Sequence, residues 1–302
     1  MSAKGDSLKT IIFALGANFA IFVSKFVAAI LTGSGSMFAE AVHSLADCGN
    51  QGLLLIGMRQ SKRPATPEHP LGYGMAVYFW SFLVALLLFS IGGIFSFYEG
   101  IHKLSNPEPL HWPWLAVGVL AFGIVAESFS MWGCLREVNK SRGKKSLWRW
   151  FGESRQSELL VVFGEDLAAL LGLTLALIAV LATMYTGNPA YDAAGSIAIG
   201  VLLCVVAIFV AREVASLLIG RSAEAGVRGS IAVFVAAQPE VQRVFNVITL
   251  QMGPDVMVAT KAQMRGELSG AELIAAINRV EAAMKEKFPE IRWSFFEPDI
   301  AD

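Results

Sequence analysis

Apolar residues run in six long stretches, roughly 10–31, 37–57, 75–98, 113–134, 158–185 and 190–219. Each approaches or exceeds the ~20 residues that cross a bilayer as a helix. The breaks are polar or rich in Gly and Pro: Thr32-Gly33-Ser34-Gly35-Ser36, 61–70, 99–112, 135–157 and Thr186-Gly187-Asn188-Pro189. The first run follows Lys4 and Lys9 but lacks a convincing cleavage site, so it reads as a retained membrane helix. After about residue 220 the pattern changes. Residues 227–237 suit a short helix. Val241 to Lys261 alternates and is rich in Val, Ile and Thr, with Met252-Gly253-Pro254-Asp255 as a turn between two strands. From Ser269 to Phe288, Leu273, Ile274, Ile277, Val280, Met284 and Phe288 fall near one helical face. Ser269 with Glu272 forms a capping box, Pro289 ends the helix and Ile291 to Phe296 is a final strand.

These patterns predict a mainly α membrane protein. It has six transmembrane helices over residues 1–220 and a small α+β domain, ordered α-β-β-α-β, over 221–302. Composition agrees: 55% of the 302 residues are hydrophobic and 16% charged, against about 25% charged in soluble domains. The mean hydropathy is +0.55. A net charge of −1 gives no reason to invoke nucleic acid. Cys48, Cys134 and Cys204 stand alone in apolar runs, so they frame neither disulfides nor a zinc ribbon. Basic residues gather in the loop after the second stretch (Arg59, Lys62, Arg63), in 135–157, at the start of the tail (Arg212, Arg221) and at Lys4 and Lys9. By the positive-inside rule both termini face the cytoplasm. The basic 135–157 loop, with Trp148 and Trp150, suits the cytoplasmic membrane interface. Short loops and compact size point to a bacterial inner membrane rather than an organelle.

Chemistry enters at His43 and Asp47, four residues apart inside the second stretch. On a helix they share a face. A neutral imidazole and a carboxylate so placed can bind a divalent metal such as zinc. Ionisable groups in lipid are costly, which makes the pair a candidate functional site. The competing reading is a helix–helix hydrogen bond. Lys25, Glu40, Glu127 and Asp192 are further charges in the apolar runs, read as interior pairs, vestibule groups or caps, with Glu40 at an outer mouth. There is no nucleophile elbow, phosphate loop or HExxH string, so no enzyme is indicated.

Several strings carry a family resemblance. Thr32-Gly33-Ser34 followed by Met37-Phe38-Ala39-Glu40-Ala41-Val42-His43-Ser44-Leu45-Ala46-Asp47 resembles the second-helix signature of the cation diffusion facilitators, the zinc-transporter family. His69-Pro70-Leu71-Gly72-Tyr73-Gly74 resembles the family's HPxGYG segment. Asp192 with Ser196 resembles its sixth-helix start, and Glu297-Pro298-Asp299 a frequent ending. The resemblance covers about residues 8–300. The Glu165-Asp166 pair in the fifth stretch is closer to the branch containing the mitochondrial zinc transporter than to the branch with a fifth-helix HxxxD.

The resemblance implies a homodimer that exports divalent cations, zinc foremost, in exchange for protons, through a site between helices two and five. The cation is a substrate and no cofactor is implied. The C-terminal domain would be metallochaperone-like and would dimerise. The family's transport-site ligands map to His43, Asp47 and Asp166. Where many members carry a His or Asp four residues before the last of these, this chain has Val162. Glu165 could reach the site, line its vestibule or face another helix. A site short of one ligand also opens the preference toward manganese, cobalt or iron. Met75 stands where many members carry a basic residue at the dimer contact. Val162 and Met75 motivate a second reading, a non-transporting membrane scaffold. With no His or Cys after residue 220, the tail lacks the zinc sites of some relatives, and Tyr73 stands where a loop metal site would need a second His beside His69.

Overall fold

The computed structural model describes residues 3–266 and 268–301, with side chains from residue 18 onward. The side chains of Lys4 and Lys9 and the beginning of the first apolar run lie outside the described residues. Helices fall on the apolar runs: α1 (Ala3–Thr32), α2 (Gly35–Ser61), α3 (Ala76–Leu87), α4 (Phe95–Ser105), α5 (Pro113–Arg142), α7 (Ser157–Thr186) and α8 (Ala190–Gly220), while the short α6 (Leu147–Glu153) forms inside the basic 135–157 segment. A π-helical turn, Leu88–Ile94, joins α3 to α4 without a break. The helices therefore outrun the apolar cores, into the polar segments expected to be loops. Among the described residues four stretches are long and apolar enough to cross a membrane: Ala76–Ser105, Pro113–Arg142, Ser157–Thr186 and the run from Ala190. The apolar segment Asn18–Thr32 is shorter, and α2 is diluted by the polar residues it carries. The chain is an integral, multi-pass membrane protein.

Two compact units emerge. The first comprises residues 1–56, 80–147 and 158–213. Its core packs Ala28 and Ala29 of α1 with Met37 and Ala39 of α2, Leu120 of α5, Ala168 and Leu173 of α7, and Ile199 and Leu203 of α8. Small residues let α8 approach the α3–α4 run closely. A Cβ on Gly200 would stand 2.5 Å from the Phe97 backbone nitrogen, and one on Gly100 2.7 Å from that of Ile197. Such contacts replace the hydrophobic drive that lipid cannot supply between helices.

Asp192 locks one end of this unit. It accepts hydrogen bonds from Ser34 Oγ (2.6 Å), Ser36 Oγ (2.5 Å) and the Gly35 amide (2.6 Å), closing the N-terminus of α2 from α8. Free N–H groups at a helix start favour an anion. Asp192 thus caps α2 and joins it to α8.

The second unit comprises residues 57–79, 148–157 and 214–302. Helix α9 (Ala225–Ala236) precedes strands β1 (Val241–Met252) and β2 (Asp255–Met264), helix α10 (Gly270–Lys287) and strand β3 (Ile291–Pro298). The sheet order is β1-β2-β3, with β1 and β2 antiparallel (Val247 opposite Thr260) and β2 and β3 parallel (Val258 opposite Ser294). Along β2, Val256, Val258, Thr260, Ala262 and Met264 are buried while their alternate neighbours are partly exposed. That face packs against Ile231 and Val235 of α9 and Ala276, Val280 and Met284 of α10. The Ser269–Glu272 capping box forms as expected. Gly253 turns β1 into β2 at φ +66°, a conformation natural to glycine. The Tyr78 hydroxyl accepts from the Gly253 amide at 3.0 Å, so the first turn of α3 is tied to this hairpin turn.

Candidate functional site

Helix α2 aligns Glu40, His43, Asp47 and Asn50 on one face, at the 3- and 4-residue steps that stack along a helix. Glu40, His43 and Asn50 are fully buried. The His43 Nδ1 and Asp47 Oδ1 atoms stand 3.6 Å apart, beyond a hydrogen bond. Both ring nitrogens of His43 and Asp47 Oδ1 lack a hydrogen-bond partner among the described residues. This is not the geometry of a structural His–Asp hydrogen bond.

Helix α7 supplies the facing wall. Asp47 of α2 and Glu165 and Asp166 of α7 line one cavity of about 60 Å³, with Ser44, Val162 and, from α5, Glu127 and Ser130. That volume exceeds the ~30 Å³ share of one liquid water, so an ion with some of its hydration fits. Ser130 Oγ donates to Asp166 Oδ1 at 3.0 Å, while Asp166 Oδ2 is buried without a partner. Asn50 Nδ2 donates to Glu165 Oε1 at 2.6 Å. Glu165 and Asp166 are thus each held by one neutral donor. Buried, unpaired carboxylate oxygens beside such a cavity suit a cation.

Of the four residues singled out from the sequence, the structure gathers Asp47, Glu165 and Asp166 around this cavity. Glu165 takes a place on the cavity wall, although adjacent helical residues diverge by about 100°. His43 is not among the lining residues; it stands one turn along α2, beside Asp47. Val162 lines the cavity and offers no donor. No three His, Cys, Asp or Glu side chains among the described residues converge tightly enough to cage one ion. The geometry is therefore an acidic, partly open receptacle rather than a closed structural site.

Glu40 departs from expectation. It is fully buried, and Lys25 Nζ of α1 contacts its Oε2 at 3.2 Å and donates to Ser44 Oγ at 2.8 Å. It belongs to an α1–α2 ion pair and not to a mouth. Asn50 and Ser130 escaped the sequence reading. Asn50 lies one step beyond Asp47 on the His43 face, so extending that face by a turn would have found it. Ser130 lies three residues after Glu127, and only the placement of α5 brings it to Asp166.

A family description, the cation efflux transmembrane domain, matches residues 11–219. The chain belongs to the cation efflux family. All four candidate residues lie within the matched cation efflux domain. Among its relatives, the chain is 36% identical over 255 residues to "Proton-coupled zinc antiporter SLC30A9, mitochondrial" of Xenopus laevis, covering 84% of this chain and 45% of that protein. It is 34% identical to the Homo sapiens protein of that name over 231 residues, covering 76% and 41%. It is 31% identical over 252 residues to "Metal tolerance protein C4" of Arabidopsis thaliana, covering 82% and 55%. The chain spans about half the length or less of these relatives. The resemblance to the branch of the mitochondrial zinc transporter stands, and the two antiporters are transporters by name, not enzymes. Their mitochondrial names lend no support to a bacterial inner membrane.

Proposed function

We propose that this chain is a divalent-cation/proton antiporter that moves zinc out of the cytoplasm. The observation that carries the reading is the acidic cavity between α2 and α7. Asp47, Glu165 and Asp166 line it, and it holds buried, unpartnered carboxylate oxygen. The names of the antiporter relatives supply zinc and protons as substrates. In this reading Asp47, Glu165 and Asp166 ligate the cation, and His43 swings from beside Asp47 to join them in another conformation. A metal needs deprotonated ligands, so cation and protons compete for one set of atoms. Alternating exposure of that set to the two sides turns competition into exchange.

The same reading takes α1, α2, the α3–α4 run, α5, α7 and α8 as six membrane crossings, with both termini cytoplasmic. Residues 221–302 form a cytoplasmic domain through which two copies pair. The oxygen-rich lining leaves manganese, and with it cobalt and iron, as competing substrates, since carboxylates suit harder cations than imidazole does. The scaffold reading draws on Val162 and on the lack of a converged cage among the described residues.

The test is flux into proteoliposomes that hold the purified protein under an imposed pH gradient, with internal dyes for metal and pH. Zn²⁺, Mn²⁺, Co²⁺ and Fe²⁺ are run beside Asp47→Ala and Asp166→Ala. Saturable metal entry with opposite proton movement, lost in both variants, is the expected result. No flux above empty liposomes from folded dimer would overturn the antiporter and favour the scaffold reading.

A further inference from the structure

Helix α5 contributes an unexplained carboxylate. Its buried residues Ala116, Leu120, Gly123, Met131, Cys134 and Val138 recur at steps of three and four, with one gap between Gly123 and Met131. Glu127 fills that gap, on the stripe that faces the bundle. It lines the same cavity as Asp47, Glu165 and Asp166. Among the described residues it makes no hydrogen bond or ion pair. The buried ammonium of Lys25 is already engaged by Glu40 and Ser44. An ionisable group on the inner face of a membrane helix pairs, or it lines an ion path. Glu127 has a path before it and no partner.

The neighbouring geometry points the same way. Ser130, three residues on along the same face, fixes one oxygen of Asp166. It leaves the other buried and unpartnered in a residue only 8% exposed. Across the cavity Val162 presents methyl groups. At Val162 the wall of α7 thus lacks a donor, in the same cavity where α5 supplies Glu127.

We propose that Glu127 is a further carboxylate ligand of the transported cation, provided by α5 in a cavity where α7 offers Val162. The proposal rests on the antiporter reading and extends its site from two helices to three. It makes the lining of the cavity an oxygen-donor set, with His43 outside it in the conformation described. Oxygen donors suit manganese, and imidazole suits zinc.

The experiment is calorimetric titration of the detergent-purified full chain with Zn²⁺ and, separately, Mn²⁺. Glu127→Gln, Glu127→His and Asp166→Ala are run in parallel, each checked for fold by thermal unfolding. Loss of an outer partner already costs about 10–100-fold in metal affinity, so Glu127→Gln should weaken both metals by at least ~10-fold. Glu127→His should recover zinc and not manganese, a split that a merely structural role would not produce. Folded Glu127→Gln binding both metals like the parent, with Asp166→Ala still defective, would overturn the ligand role and leave the antiporter reading intact. Equal losses of both metals in the Gln and His variants would overturn it too. No saturable binding by the parent protein would remove both. If Glu127→Gln does not fold, Glu127→Asp carries the test. Retracting the carboxylate by one methylene should weaken zinc several-fold if it is a ligand, and unchanged affinity would count against it.

Discussion

At the scale of single residues, the cost of burying charge organises the membrane unit. Lys25 and Glu40 are both essentially inaccessible and meet at 3.2 Å. Removing one partner of such a pair strands the other and costs about 3–5 kcal/mol, whereas replacing both can be close to neutral. Lys25→Met should therefore lower the unfolding temperature in detergent markedly, and Lys25→Met with Glu40→Gln should restore most of it. Additive losses in the double variant would show that the pair is not coupled. Asp192 makes a similar case with a different partner, since three donors around the start of α2 converge on its carboxylate. Val162 explains nothing by itself; only beside Asp166 and Glu127 does its methyl surface acquire meaning.

At the scale of elements, helix contacts in lipid and caps in water obey different physics. The α8 approach to the α3–α4 run depends on glycine. A Cβ at Gly200 would press on the Phe97 backbone, which cannot rotate away. Gly200→Val should cost about 1–3 kcal/mol through overpacking, read as a lowered unfolding temperature. In the soluble elements, Ser269→Ala removes the cap of α10 and should cost about 1 kcal/mol. Arg279 of α10 reaches Glu240, just before β1, at 2.9 Å and holds that carboxyl below its usual range. A carboxyl held low when folded adds stability above its unfolded value, near 4.3, and loses it as pH falls through the folded value. Arg279→Ala should then cost no more than ~1 kcal/mol at neutral pH, with the difference closing in acid. A gap that persists in acid would assign Arg279 a packing role instead. Helix ends were less legible than helix positions: α5 runs to Arg142 and the third apolar run to Ser105, because backbone hydrogen bonding continues after the apolar pattern stops.

At the scale of the whole molecule, the antiporter reading requires two-sided access and a pair of chains. Light scattering of the purified chain should give the mass of a homodimer, and a chain ending at residue 220 should shift toward monomer if residues 221–302 hold the copies together. Unchanged mass in the shortened chain would move the dimer contact into the membrane. The apolar runs, the Gly253 turn, the Ser269 cap and the His43–Asp47 spacing were all determined by the sequence alone. Each depends on residues within a few positions of one another, where periodicity and local hydrogen bonding suffice. Which carboxylates share a cavity was decided by the tertiary structure. It set Glu165 and Glu127 beside Asp47, kept His43 off the lining and bound Glu40 to Lys25. Those placements depend on the rotation of α1, α5 and α7 about their axes, and rotation is fixed only when the helices pack against one another.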